Sequence, residues 1–180
     1  VYDYTDGSGA LLFQVLRYRP KTFRTRRPDG RGGWHWGVDG CLPTLYHLPR
    51  VLTAGTVLVV EGEKDVETAE RLGLPEQWAA TCSPFGVCHW RPQHSDMLAG
   101  KRVFLCPDND LPGQDHLFQV GLSLLDRASE IRVVTLPAAS KDLSEWVEAG
   151  GDAAAFAALI DAAPTFAYPR DPSGLLREIA

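Results

Sequence analysis

The chain has 180 residues, 44% of them hydrophobic and 23% charged, which suits one soluble globular domain, or a small domain with an appendage, and an ample core. No apolar run approaches the length of a membrane span, and the N-terminal residues show no signal-peptide pattern. The net charge of −5 is uneven: residues 1–55 carry eight Lys/Arg against four acids (+4), and residues 56–180 carry ten against nineteen (−9), as expected of a protein that holds a polyanion with one part and metal cations with the other.

The chain begins at Val1 and its only methionine is Met97, so it is read as a piece of a longer protein. Four cysteines form no CxxC pair, and Cys82-x5-Cys88-His89 is an odd spacing for zinc. Cys82 and Cys106 fall in strand-like runs, which predicts buried free thiols and a reducing, cytoplasmic compartment.

In chain order, residues 1–52 read as a β-rich, basic subdomain. Tyr2 and Tyr4 alternate with acids, Asp6-Gly7-Ser8-Gly9 is a turn, and Leu11–Tyr18 and Thr22–Arg27 are two further strands. A second loop, Pro28 to Gly33, precedes Trp34-His35-Trp36. Lys21, Arg24, Arg26, Arg27 and Arg31 cluster near Phe23, Trp34 and Trp36. Cations interleaved with rings on an extended ribbon suit a single-stranded nucleic acid, with charges on phosphates and rings stacked on unpaired bases. A solvated hairpin whose tryptophans fill a small core is the structural alternative.

Pro43–Leu52 is a connector with a short helical turn. Residues 53–165 then alternate strand and helix. Thr56–Val60 is a strand buried on both faces, followed by a helix through Val66, Ala69 and Leu72. Trp78–Cys82 and Arg102–Pro107 are the next strands, with a short helix over Gln93–Leu98 between them. The stripe Leu117, Val120, Gly121, Leu124, Leu125 marks a helix, Ile131–Leu136 a fourth strand, and Leu143 to Ala163 further helix. The pattern predicts an α/β fold with a parallel sheet flanked by helices. Residues 166–180 read as a tail, with a linker at 169–174.

Three strand ends carry acids. Glu61, with Asp65 one turn into the next helix, follows the first; Asp108 and Asp110 follow the third; Asp142 follows the fourth. Open α/β sheets place their sites at such ends, and a carboxylate there is costly to desolvate without a cation. Asp108 and Asp110, two apart on an extended segment, can share one ion. Helix capping is the alternative for Glu61 and Asp142, and a plain turn is the alternative for Asp108–Asp110. Pro112 and the lack of a later glutamate argue against an EF-hand. Oxygen-only ligands without histidine suit Mg²⁺ or Mn²⁺, an ion that bridges to phosphates, and so point to phosphoryl transfer.

At these residues the chain resembles the Toprim family, the catalytic domain shared by DnaG-type primases, topoisomerases, OLD-type nucleases and RecR proteins. Glu61-Gly62-Glu63-Lys64-Asp65 matches its glutamate motif, Asp108-Asn109-Asp110 its Asp-x-Asp motif, and Lys141-Asp142 the trailing acid of primase members. The stretches Tyr18–Phe23, Arg26–Gly30, Gly33–Trp36 and Leu45–Pro49 resemble the region before this domain in prophage, plasmid and primase–helicase proteins. Two departures are Pro112, where some primases have a third acid, and a single glycine in the Cys82–Trp90 loop. The resemblance implies a primase core that makes RNA primers from NTPs on single-stranded DNA. Catalysis would rest on Glu61, Asp108 and Asp110. A metal ion would be held by these with Asp65 and Asp142, and Lys64 and Lys141 would contact the triphosphate. It also implies a helicase and a zinc-binding module outside this segment. A Toprim nuclease and an inactive nucleic-acid-binding module are the alternatives; a topoisomerase needs a catalytic tyrosine on a separate domain.

Overall fold

The computed structural model describes residues 1–87 and 89–167; Cys88 and the expected linker at 169–174 lie outside the described residues. Alternation decides the first quarter of the chain. Tyr2 and Tyr4 of β1 (Tyr2–Thr5) and Phe13 and Val15 of β2 (Leu11–Tyr18) are buried on one face, and Asp3 and Gln14 lie on the other. With β3 (Thr22–Pro28) and β4 (Trp34–Trp36) these strands form an antiparallel sheet in the order β1-β2-β3-β4. Both predicted loops are tied by an aspartate: Asp6 accepts backbone N–H bonds from Ser8 and Ala10, and Asp29 from Arg31 and Gly33.

After α1 (Leu48–Thr53) comes the αβ alternation: β5 (Thr56–Val59), α2 (Glu63–Arg71), β6 (Trp78–Thr81), α3 (Pro92–Asp96), β7 (Arg102–Leu105), α4 (Leu111–Leu124) and β8 (Glu130–Val133). The four strands are parallel in the order β6-β5-β7-β8. The strands are one or two residues shorter than the sequence suggested. The ladder runs one residue past β7, through Cys106 N–H to the Val59 carbonyl, and stops where Pro107 has no N–H to give. The last helical stretch is two helices, α5 (Leu143–Glu148) and α6 (Ala153–Asp161), separated by Gly150 at φ 104.

The parallel sheet is covered on both faces, so its strands are nearly all apolar. On one side Val57, Val59, Val103 and Leu105 pack on α1 and α4. On the other, Leu58, Val60, Phe104 and Cys106 pack on α2, α5 and α6 and on Tyr2, Tyr4, Phe13 and Val15 of the antiparallel sheet. Cys82 and Cys106 are buried free thiols, as expected. No helix among the described residues is long and apolar enough to cross a membrane.

The antiparallel sheet is pinned to α2 by a buried polar bond. Tyr4 donates its hydroxyl proton to Glu63 Oε1 at 2.8 Å. Burial, opposed by that hydrogen bond and by Arg17, holds the Glu63 carboxyl above its usual range. A carboxyl whose folded pKa is raised favours folding most while protonated, and this contribution is lost as pH rises from the unfolded toward the folded value. Glu63→Gln, which keeps the acceptor for Tyr4, is expected to raise the melting temperature at pH 8 and to leave it nearly unchanged at pH 4, as read by thermal unfolding at the two pH values.

Candidate active site

β5, β7 and β8 are neighbours in register, with Val59 opposite Leu105 and Leu105 opposite Val133, so their C-terminal ends lie along one edge. Glu61 follows β5, Asp108 follows β7, and Asp142 begins α5 after the loop that leaves β8. Glu61, Asp65, Asp108 and Asp142 line one cleft of about 430 Å³, whose opposite wall is the antiparallel sheet with Arg17, Lys21 and Phe23.

The acids are held in different ways. Glu61 Oε2 is buried and has no hydrogen-bond partner. Burial and the Asp110 charge raise its pKa, against Lys141 and, from across the cleft, Lys21. Asp108 is 8% exposed; burial, then Glu61, Asp65 and Asp142, push it up to about 7. Asp110 caps α4 by accepting from Gly113 N–H at 2.9 Å, and that bond with Lys141 holds its carboxyl low. Asp65 Oδ1 accepts from the backbone N–H and the hydroxyl of Ser144, at 2.9 and 2.6 Å, so it ties α2 to α5. Asp142 caps α5 through Glu145 N–H at 2.7 Å. The capping alternative therefore holds for Asp142 and applies to Asp110, while Glu61 caps nothing: Gly62 stands at the N-cap of α2.

The lysines are committed differently. Lys64 Nζ pairs with Glu148 of α5 at 2.9 Å. Lys141 Nζ sits between two carboxylates, 3.1 Å from Asp110 Oδ2 and 3.7 Å from Asp108 Oδ2. Of the predicted nucleic-acid residues, only Lys21 and Arg24 border the cleft, and the Arg24 guanidinium turns to the other face. Arg24 lies over the Trp36 ring and Arg26 over Trp34, at 5.8 and 3.9 Å, on the sheet face away from the buried tyrosines. Trp34 and Trp36 are exposed, so they do not fill a core. Arg27, one residue on, takes the inner face with His35, and Arg31 stands in the β3–β4 loop. The ribbon therefore presents its cations on two faces.

Sequence reasoning missed several residues. Arg17 continues the inward series Phe13, Val15 and reaches the cleft; period-two alternation would have found it. Asn109 donates its amide to the Ser140 carbonyl at 2.7 Å and its N–H to the Lys141 carbonyl at 2.6 Å, locking the loop after β8 to the end of β7. Gly113 lets Glu61 approach α4: a Cβ there would lie 2.7 Å from Glu61 Oε2 and 2.8 Å from Asp108 Cβ.

No described sequence family and no curated protein matches the chain. Solved structures do. The Escherichia coli primase catalytic core superposes with TM-score 0.63 at 20% identity, over 91% of this chain and 51% of that one. The bacteriophage T7 primase domain, solved with an RNA/DNA hybrid and dTTP, gives 0.66 at 20% identity, over 92% and 78%. The Aquifex aeolicus primase zinc-binding and RNA-polymerase domains give 0.65 at 19%, over 91% and 40%. The chain has the fold of DnaG-type primase catalytic cores. It spans about half the length of the E. coli core.

Within this primase-core fold, no three His, Cys, Asp or Glu side chains among the described residues stand close enough to grip one ion. The donors nonetheless suit a hard divalent cation. Glu61 Oε2 is a buried oxygen without a partner, Asp108 and Asp110 already share the ammonium of Lys141, and every candidate ligand is a carboxylate. Gly113→Ala is expected to push Glu61 and Asp108 apart, costing about 1–3 kcal/mol of stability and weakening divalent-ion binding, read by denaturant unfolding and by Mn²⁺ titration.

Proposed function

We propose that the chain is the catalytic core of a DNA primase, a nucleotidyltransferase of the Toprim type that makes oligoribonucleotides on single-stranded DNA. The observation that carries this reading is the pairing of a primase-core fold with Glu61 and Asp108 at its strand ends, in one cleft with Arg17 and Lys21, and with Asp110 joined to Asp108 through Lys141. In the reaction a primer 3′-hydroxyl attacks the α-phosphate of an incoming NTP and pyrophosphate leaves. Mg²⁺ or Mn²⁺ held by Glu61, Asp108 and Asp110, beside Asp65 and Asp142, would supply charge neutralisation at the triphosphate. Glu61, whose buried Oε2 has no hydrogen-bond partner, would accept the proton of the attacking hydroxyl. Lys64 and Lys141, at the cleft margin, contact the triphosphate. Arg17 and Lys21 take phosphates of the template or primer. The outward ring–guanidinium pairs of Arg24, Arg26, Trp34 and Trp36 stack unpaired bases, with Arg27 and Arg31 adding charge.

The same reading divides the chain into a nucleic-acid-binding segment, 1–52, and a catalytic segment, 53–165. The partners are single-stranded DNA and NTPs, with a helicase and a zinc-binding module beyond this segment. The T7 protein is a primase-helicase and the Aquifex protein carries a zinc-binding domain, which supports those partners. The likeness of Tyr18–Phe23, Arg26–Gly30, Gly33–Trp36 and Leu45–Pro49 to the same region of prophage and plasmid primases favours replication of a mobile element or phage.

Incubation with single-stranded DNA, radiolabelled NTPs and Mg²⁺ is expected to yield lengthening products. Glu61→Gln and Asp108→Asn are each expected to lower the rate by about 10²-fold or more. Wild-type rates in both variants would overturn the assignment, and shortening of a labelled strand without NTPs would make the chain a nuclease.

A further inference from the structure

Lys141 combines two features that its proposed contact with the triphosphate does not explain. Its backbone is fixed: Asn109 N–H donates to its carbonyl at 2.6 Å, its own N–H donates to Glu145 Oε2, and the preceding carbonyl, Ser140 O, accepts from the Asn109 amide at 2.7 Å. Its side chain is 54% exposed and crosses to Asp108 and Asp110. The anchored base thus carries a tip with room to move. That tip is the one ammonium among the described residues that pairs with either aspartate, and it neutralises the pair that a divalent ion would also use.

We propose that Lys141 is a built-in counter-ion that occupies the cation position between Asp108 and Asp110 and yields it when a divalent metal enters. This rests on the metal-dependent reading given above. Without the ammonium, Glu61, Asp108 and Asp110 repel one another around a buried carboxylate oxygen. With it, the cluster is held together until the ion arrives, and the ion must displace a unit charge to bind. The displaced ammonium remains tethered at the cleft margin, within reach of an anionic ligand there.

The chain, Lys141→Met and Lys141→Arg are compared for Mn²⁺ affinity by calorimetry and for melting temperature in EDTA. Lys141→Met, which keeps most of the apolar stem and removes the charge, is expected to bind Mn²⁺ about tenfold more tightly. It should melt lower than wild type in EDTA and gain more from added Mn²⁺. Lys141→Arg, whose guanidinium spans two carboxylates in a fixed fork, is expected to bind Mn²⁺ more weakly than wild type. Equal or weaker affinity in Lys141→Met overturns the proposal and leaves the metal site standing. If Lys141→Met fails to fold, Mn²⁺ affinity in Lys141→Arg equal to or above wild type overturns it. Absence of Mn²⁺ binding in every form brings down the metal-dependent function and this inference together.

Discussion

Four carboxylates, Glu61, Asp65, Asp108 and Asp142, face one cleft, and each of them that leaves water raises the cost of the others. The structure manages this repulsion acid by acid. Asp65 is anchored by two donors from Ser144, and Asp110 and Asp142 each cap a helix, which places them at the positive ends of backbone dipoles. Asp108 shares Lys141 with Asp110 and is pushed up to about 7. Glu61 alone keeps a buried oxygen with nothing to bond. Unpaired polar atoms of this kind are rare in folded proteins, and one at the end of a buried parallel strand marks the point where an outside cation gains most.

The remaining architecture brings those acids to one edge. Apolar residues on both faces force β5, β7 and β8 into the middle of three layers, and parallel pairing in register sets their ends side by side. The antiparallel sheet then closes the cleft from above, seated by Tyr4 on Glu63 and by Thr44 on the Thr5 carbonyl. That seating carries Arg17 and Lys21 over the acids, so basic and acidic residues line the same cleft of about 430 Å³.

Much of this was legible in the sequence, and the reasons are local. A run such as Thr56–Val60 ending in Glu61-Gly62 announces both a buried strand and a charge at its end, and the same grammar exposes Asp108. What local pattern does not encode is partner choice. Ser144 on Asp65, Asn109 on the Ser140 carbonyl and Glu148 on Lys64 each join residues far apart in the chain. The reading of the ribbon as one cluster overlooked a rule that was available: residues 24 and 26 share a face of β3 while 27 takes the other, so Arg27 parts from the tryptophan ladder. Arg17 escaped for the same reason.

The central claim is that these strand-end acids form a cation-dependent centre. A crystal structure of the chain grown with Mn²⁺, with anomalous data collected at the manganese edge, tests it most directly. The account predicts a peak bounded by Glu61, Asp108 and Asp110, with the Lys141 ammonium withdrawn from both aspartates. A manganese bound elsewhere, or none bound with Lys141 still seated between Asp108 and Asp110, would contradict it.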